Sequence, residues 1–187
     1  ALLGLADLTK VDLILESGTA GGRSAELMAR FFNQSVQIVT VDWGDIGDGG
    51  RCGKRVEDAH KRLKNFANVK ALIGDSFKIF PELIAQHPGK RIGLFIDGPQ
   101  EMLAVKLCIQ SLRASNSIQY CIFHDMVKKK TNPAYQKTLK YLRSWHRLVG
   151  LCCCDQRWVT ALGGPASMGI VAGSAIIPFG PGDTIPE

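Results

Sequence analysis

What most constrains this chain is an alternation. Short runs of β-branched and apolar residues take turns with longer amphipathic stretches, and the pattern recurs along the chain. Runs at 11–16, 36–41, 69–74, 92–96 and 120–123 have the length of strands. Stretches at 23–32, 51–66, 77–86, 101–114 and 133–145 have the length and apolar spacing of helices. A strand followed by a helix and another strand makes a right-handed crossover, which lays the helix on one face of a parallel sheet. Such units in series predict an α/β fold, a doubly wound parallel sheet with helices on both faces. Leu27, Phe31 and Phe32 are expected to set the apolar face of the first of these helices, and Leu103, Leu107 and Leu112 that of the fourth. Phe31, Phe66, Phe80 and Trp145 are expected in the core.

Past residue 145 the pattern changes. The segments 148–154, 158–161 and 168–178 read as strands separated by turns such as Gly163-Gly164-Pro165, with no helix between them. An antiparallel hairpin closing the sheet is expected there, and the Pro- and Gly-rich 179–187 is expected as an extended tail. With 187 residues the chain is read as a single domain, 1–187, whose core covers about 11–178. A hydrophobic fraction of 45% excludes a disordered chain, and its glycines show no collagen period. No stretch approaches the ~20 uninterrupted apolar residues of a membrane span.

The cysteines are Cys52, Cys108, Cys121 and the run Cys152, Cys153 and Cys154. They form no C-x-x-C pair, and adjacent cysteines cannot all bridge with normal geometry. Reduced, mostly buried thiols in a cytoplasmic protein are the expectation, and no Cys or His pairs stand at zinc-ligand spacing. No signal peptide opens the chain. It begins at Ala1 rather than Met, as a trimmed chain or a domain cut from a longer one would.

In an open parallel sheet, ligands bind beyond the carboxyl ends of the strands, where strand order reverses. The first strand ends Glu16-Ser17-Gly18-Thr19-Ala20-Gly21-Gly22-Arg23-Ser24 and runs into a helix. The next four end in Val41-Asp42-Trp43, Gly74-Asp75-Ser76-Phe77, Ile96-Asp97-Gly98-Pro99 and His124-Asp125-Met126. Every one terminates at or beside a carboxylate. Glycines at 18, 21 and 22 allow backbone to approach a ligand closely. Their spacing is not G-x-G-x-x-G, because Glu16 takes the place of the first glycine, and no G-x-x-x-x-G-K-[ST] loop occurs. A carboxylate there repels a pyrophosphate and suits an ammonium or sulfonium, which favours S-adenosylmethionine (SAM) over NAD. Asp42 is placed to accept from ribose hydroxyls. Trp43 is placed to lie against adenine, Asp75 to accept from its amino group, and Ser76 or Phe77 to shape its pocket. Each has a plainer alternative: Asp42 and Asp75 as helix caps, Trp43 as core, Gly18 as a simple turn.

The run from Glu16 to Ser24, followed by Val-Asp42, Gly-Asp75-Ser and Phe-Ile-Asp97-Gly-Pro99, resembles the class I SAM-dependent methyltransferases. The likeness is greatest to the small-molecule O-methyltransferase group that includes catechol-type enzymes and methyltransferase 24 domains. It spans about residues 11–178 and rests on the order and spacing of the motifs. It implies a Rossmann-like, seven-stranded, mostly parallel sheet in the order 3-2-1-4-5-7-6, with strand seven antiparallel. It also implies cofactor contacts from Glu16, Gly18 and Gly22 at the methionine end, Asp42 at the ribose and Asp75 at the adenine, and Thr19, Ser24, Trp43, Ser76 and Asp97 are expected among the cofactor-binding residues as well. Catechol-type relatives hold a divalent cation such as Mg²⁺ through acids after strands four and five, which are Asp97 and Asp125 here. Such a cation lowers the pKa of a substrate hydroxyl. Where those enzymes next carry Asn this chain has Met126, so His124 either completes the set, serves as general base, or is simply fixed by a backbone hydrogen bond. Relatives also place helices before strand one, and here a truncated chain or a partner subunit has to account for that lid.

The resemblance therefore implies methyl transfer from SAM to an oxygen of a small-molecule acceptor, with Asp97, His124 and Asp125 nearest the reacting atoms. Lys128-Lys129-Lys130 reads as a solvated loop that is also placed to steer an acidic acceptor. The basic residues Arg51, Lys54, Arg55, Lys61, Arg62 and Lys64 alternate with Glu57 and Asp58, as on an ordinary exposed helix face. No RNA-binding motif appears, and nucleic acid and membrane are not expected partners, whereas a homodimer is compatible with the chain. Two rivals stay open on the residues alone: a nucleic-acid methyltransferase using the lysine loop, and a catalytically silent SAM-fold domain serving in binding or assembly.

Overall fold

In the computed structural model, residues 2–32, 34–44, 51–124, 133–143, 149–151 and 174–178 are described. In chain order the elements are α1 (Leu2–Thr9), β1 (Leu13–Ser17), α2 (Arg23–Phe32), β2 (Gln37–Asp42), α3 (Arg51–Leu63), β3 (Val69–Ile73) and α4 (Ser76–Gln86). They continue with β4 (Ile92–Ile96), α5 (Met102–Ala114), β5 (Ile118–Phe123), α6 (Pro133–Arg143), β6 (Val149–Leu151) and β7 (Ser174–Pro178). Strands β1 to β5 form a parallel Rossmann-like sheet in the order β3-β2-β1-β4-β5. The chain winds outward from β1 to β3, then crosses back to β4 on the other side of β1. In a sheet of this kind ligands bind at such a reversal, beyond the carboxyl ends of the strands on either side of it, here β1 and β4.

Both faces of the sheet are covered, which is why its central strands read as nearly continuous apolar runs. Leu13, Leu15, Val41, Leu94, Ile96 and Phe123 pack with Phe80 and Ile84 of α4, Val105 and Leu107 of α5, and Leu142 of α6. On the other face Ile14, Ile38, Phe95, Tyr120 and Ile122 pack with Met28 and Phe32 of α2, Ala59 and Leu63 of α3, and Ala6 of α1. The alternation of side chains along each strand divides the two cores.

Several expectations are corrected. Helix α2 buries Ala25, Met28, Ala29 and Phe32, while Leu27 and Phe31 are 58% and 53% exposed. The buried set follows the i, i+3, i+4, i+7 stripe, and its two alanines fill that stripe where a reading weighted by bulk chooses Leu27 and Phe31. Phe31 instead packs edge-on to Phe32, with ring centroids 4.9 Å apart. On α5, Leu107 is buried and Leu112 packs against the core, but Leu103 is exposed. Phe80 is core, and Phe66, half-buried beyond α3, packs against the core of the α2 and α3 face with the Arg30 guanidinium 5.3 Å from its ring centroid. Helix α3 stops at Leu63, short of the expected 66, and α1 is a helix ahead of β1 that the apolar pattern does not predict.

Cys108 and Cys121 are free, buried thiols, as expected, and burial together with Cys108 pushes the Cys121 thiol up. Among the described residues no helix is long and apolar enough to cross a membrane. Trp145, Cys152 to Cys154, the strand expected at 158–161 and the tail 179–187 lie outside the described residues.

Candidate active site

The alternation that places Ile14, Ile38, Phe95 and Ile122 on the α2 and α3 face places the residue two further along each strand on that same face. Those residues are Glu16, Thr40, Asp97 and His124, and Asp42 follows Thr40 by another two. Glu16 aligns with Thr40 on β2 and with Phe95 on β4. The face is apolar at the amino ends of the strands and acidic at their carboxyl ends.

Glu16 is completely buried. Its Oε1 accepts from the Ser24 hydroxyl on α2, and Thr40 also hydrogen-bonds its carboxyl. Its Oε2 has no hydrogen-bond partner. Burial pushes this carboxyl up to about 7; the Ser24 and Thr40 hydrogen bonds oppose that, and the nearby Asp97 and Asp42 charges add to it. Thr40 and Thr19 share a buried hydroxyl contact of 2.6 Å. Each hydroxyl has one proton, so when Thr40 donates to Glu16, Thr19 donates to Thr40. The turn after β1 is thereby tied to the strand beneath it.

Two glycines of that turn are needed for different reasons. Gly18 has φ +92°, and a Cβ on it would lie 2.8 Å from the Gly98 nitrogen and 3.1 Å from the Asp97 carbonyl carbon. The loops after β1 and β4 therefore touch backbone to backbone, and the Asp97 and Gly98 amides both donate to the Ser17 carbonyl, at 2.9 and 3.0 Å. Gly22, at φ +73°, is pressed against α3, where a Cβ would meet the Ala59 Cβ at 3.1 Å. Its missing side chain serves helix packing, whereas Gly21 has nothing within 4 Å of a Cβ position.

Asp42 accepts from the Ala20 amide at 2.8 Å, so the carboxylate ending β2 also braces the turn. Trp43 is half exposed and not core. Ile73, aligned with Asp42 across β2 and β3, is exposed too, and the two leave an apolar surface at adjoining strand ends. Asp75 caps α4, its carboxylate accepting from the Phe77 amide at 2.9 Å, which is the plainer of the two roles read for it. Ser76 is buried, and Phe77 packs against the core.

His124 follows β5 and Asp97 follows β4, and these neighbouring strands bring His124 Nδ1 to 2.7 Å from Asp97 Oδ1. The imidazole also meets Phe95 edge-on, at 6.1 Å between centroids. Asp125, the other expected metal ligand, lies outside the described residues, as do Met126 and Lys128 to Lys130. Among the described residues no three His, Cys, Asp or Glu side chains form a group that holds a metal.

Two residues of this region escaped the sequence reading. Ile73 carried a weak signal, an apolar residue directly before Gly74-Asp75. Arg62 carried none, since it sits in the alternating charges of α3. Its Nε donates to the Gly21 carbonyl and its Nη1 to Glu26 Oε2, both at 2.8 Å, which clamps α3 to the turn. Arg62 first and then Arg30 hold the Glu26 carboxyl below the usual range.

No protein-family model matches this chain, and no curated protein does. Solved structures do. The O-methyltransferase TomG from Streptomyces achromogenes, involved in tomaymycin synthesis and solved in complex with SAM, is 19% identical, with a TM-score of 0.63 over 96% of this chain and 78% of that one. The O-methyltransferase from Bacillus cereus in complex with S-adenosylhomocysteine (SAH) is 16% identical, with a TM-score of 0.64 over 95% and 79%. A methyltransferase from Geobacter sulfurreducens is 14% identical, with a TM-score of 0.60 over 95% and 75%. What this chain shares with these proteins is their α/β Rossmann-like fold.

Proposed function

We propose that this protein is a SAM-dependent methyltransferase acting on an oxygen of a small-molecule acceptor. One observation carries the reading: Glu16, Asp42 and Asp97 gather on a single sheet face around the glycine turn, at the strand ends where such a sheet binds ligands. A cluster of acids with no phosphate loop suits a cationic nucleoside. Structural likeness to O-methyltransferases solved with SAM and SAH supports the same choice.

In this reading Gly18, Thr19, Gly22 and Ser24 surround the methionine end, with Glu16 behind them. Asp42 receives the ribose hydroxyls, Trp43 and Ile73 cover the adenine, and Asp75 and Ser76 bound its edge. SAM, when bound, supplies a methyl group activated by its sulfonium. Asp97 holds His124 by Nδ1, which selects the tautomer whose Nε2 accepts a proton, and the acceptor hydroxyl is the group it would deprotonate. A divalent cation at Asp97 and Asp125 is the other means of activating that hydroxyl. Chelator with Mg²⁺ add-back separates the two: unchanged transfer in chelator supports the histidine, and loss restored by Mg²⁺ supports the cation. The proposed sheet is seven-stranded, in the order 3-2-1-4-5-7-6, supported by Ser174–Pro178 running antiparallel to both β5 and Val149–Leu151.

Titration calorimetry with SAM and SAH tests the reading. Binding of both is expected, and Asp42→Ala is expected to weaken SAM. Absence of heat with either nucleoside overturns it.

A further inference from the structure

The turn after β1 is anchored in two halves. Its first half is tied to β2: the Gly18 amide donates to the Val41 carbonyl at 2.8 Å, the Thr19 and Thr40 hydroxyls share their contact, and the Ala20 amide donates to Asp42. Its second half depends on the peptide unit between Gly21 and Gly22. A peptide unit flanked by two glycines meets little steric resistance to turning over, because neither neighbour has a Cβ. Packing adds nothing at Gly21, since among the described residues no atom lies within 4 Å of a Cβ position there.

Hydrogen bonds hold both ends of that unit instead. The Gly22 amide donates to the Thr19 carbonyl, and the Gly21 carbonyl accepts from Arg62 Nε, each at 2.8 Å. The Thr19 bond lies inside the turn and moves with it. The Arg62 bond ties the unit to α3, and so to the body of the fold. Arg62 is itself aimed, because its Nη1 donates to Glu26 Oε2 on α2, while Glu26 Oε1 accepts from Arg30. A planar guanidinium has the fork for this task, one N–H for a carbonyl and another for a carboxylate. Resting on the cofactor reading above, we infer that Arg62 is a positioning residue for the nucleoside: from outside the turn it keeps the Gly21–Gly22 peptide unit in the orientation that the methionine end of SAM or SAH requires. Without Arg62 the unit populates both orientations, and apparent affinity falls with the fraction that remains competent. SAM and SAH have the same methionine end apart from the methyl group, so both are weakened alike.

The test is calorimetry of the full chain with SAM and with SAH. Arg62→Ala is expected to raise both Kd values roughly tenfold, as when about a tenth of the molecules keep the competent turn. Arg62→Lys retains the charge and a donor, and should stay within about threefold of the original chain. Lys61→Ala removes the same charge from the adjacent exposed position and should leave both Kd values unchanged. Hydrogen–deuterium exchange without ligand separates positioning from general support: segment 18–22 should lose protection in Arg62→Ala while β1 and β4 keep theirs. The thermal midpoint should stay within about 3 °C, because a pair whose arginine is 36% exposed adds little to global stability. Should Arg62→Ala not fold, Glu26→Gln serves in its place, since it frees the guanidinium and should weaken both nucleosides about threefold. Unchanged affinity in Arg62→Ala overturns the inference, as does an equal loss in Lys61→Ala or a loss of protection spread through the strands. In each case the cofactor reading stands, because the unaltered chain still binds. Failure of the unaltered chain to bind either nucleoside removes that reading and this inference with it.

Discussion

Glu16 is expected to leave its mark on stability in the absence of any ligand. Because burial raises its folded pKa from 4.5 to about 7, the unfolded chain gives up this proton first as pH rises. The contribution of the neutral, buried form is complete below about pH 4.5 and is lost as pH climbs through about 7. Urea unfolding between pH 4 and 8 should show that loss, on the order of 2–4 kcal/mol, and Glu16→Gln should flatten it. Gly18 gives a second measurement. Its φ of +92° and the Gly98 nitrogen 2.8 Å from a Cβ position mean that Gly18→Ala both strains backbone and collides with it. A cost of at least about 2 kcal/mol is expected, against less than about 0.5 kcal/mol for Gly21→Ala, whose Cβ position is open.

At the scale of elements, the helix and strand runs were largely legible, because the period of apolar residues is a local property. Strand β4 and helix α2 have the expected limits. Which side of α2 turns inward was less legible. Its sequence contains two apolar stripes, and only packing against Ile14 and Ile38 selects the one with Ala25 and Ala29, which lets the helix approach the sheet closely. Met28→Ala should therefore cost about 2–5 kcal/mol and Leu27→Ala less than about 0.5 kcal/mol in chemical denaturation. The reverse ranking would show that the other stripe is buried. Asp75 belongs to the same scale. As the cap of α4, its replacement by Ala should cost about 1 kcal/mol whether or not nucleoside is present, and a loss of SAM affinity beyond that would add the adenine role.

At the scale of the molecule, strand order brings Glu16, Asp42 and Asp97, far apart in the chain, within electrostatic reach of one another at the carboxyl ends of the strands. A ligand bound there stabilises the whole fold by mass action. SAM at a hundredfold excess over its Kd should add about 2.7 kcal/mol, or roughly 5–10 °C in the midpoint of thermal unfolding. No shift with either SAM or SAH would leave the acidic strand ends without their proposed ligand.

The candidate site was readable where it depends on where strands end. Carboxylates after successive apolar runs, and a turn rich in glycine, are local patterns, and they mark Glu16, Asp42, Asp75 and Asp97 from the sequence alone. Partnership was not readable. That Asp97 grips His124, that Gly22 makes room for Ala59, and that Arg62 reaches the Gly21 carbonyl all depend on which strands and helices become neighbours and in what register. Periodicity and turn chemistry act over a few residues and are written along the chain. Hydrogen bonds and close contacts between distant segments come into being only when packing brings those segments together.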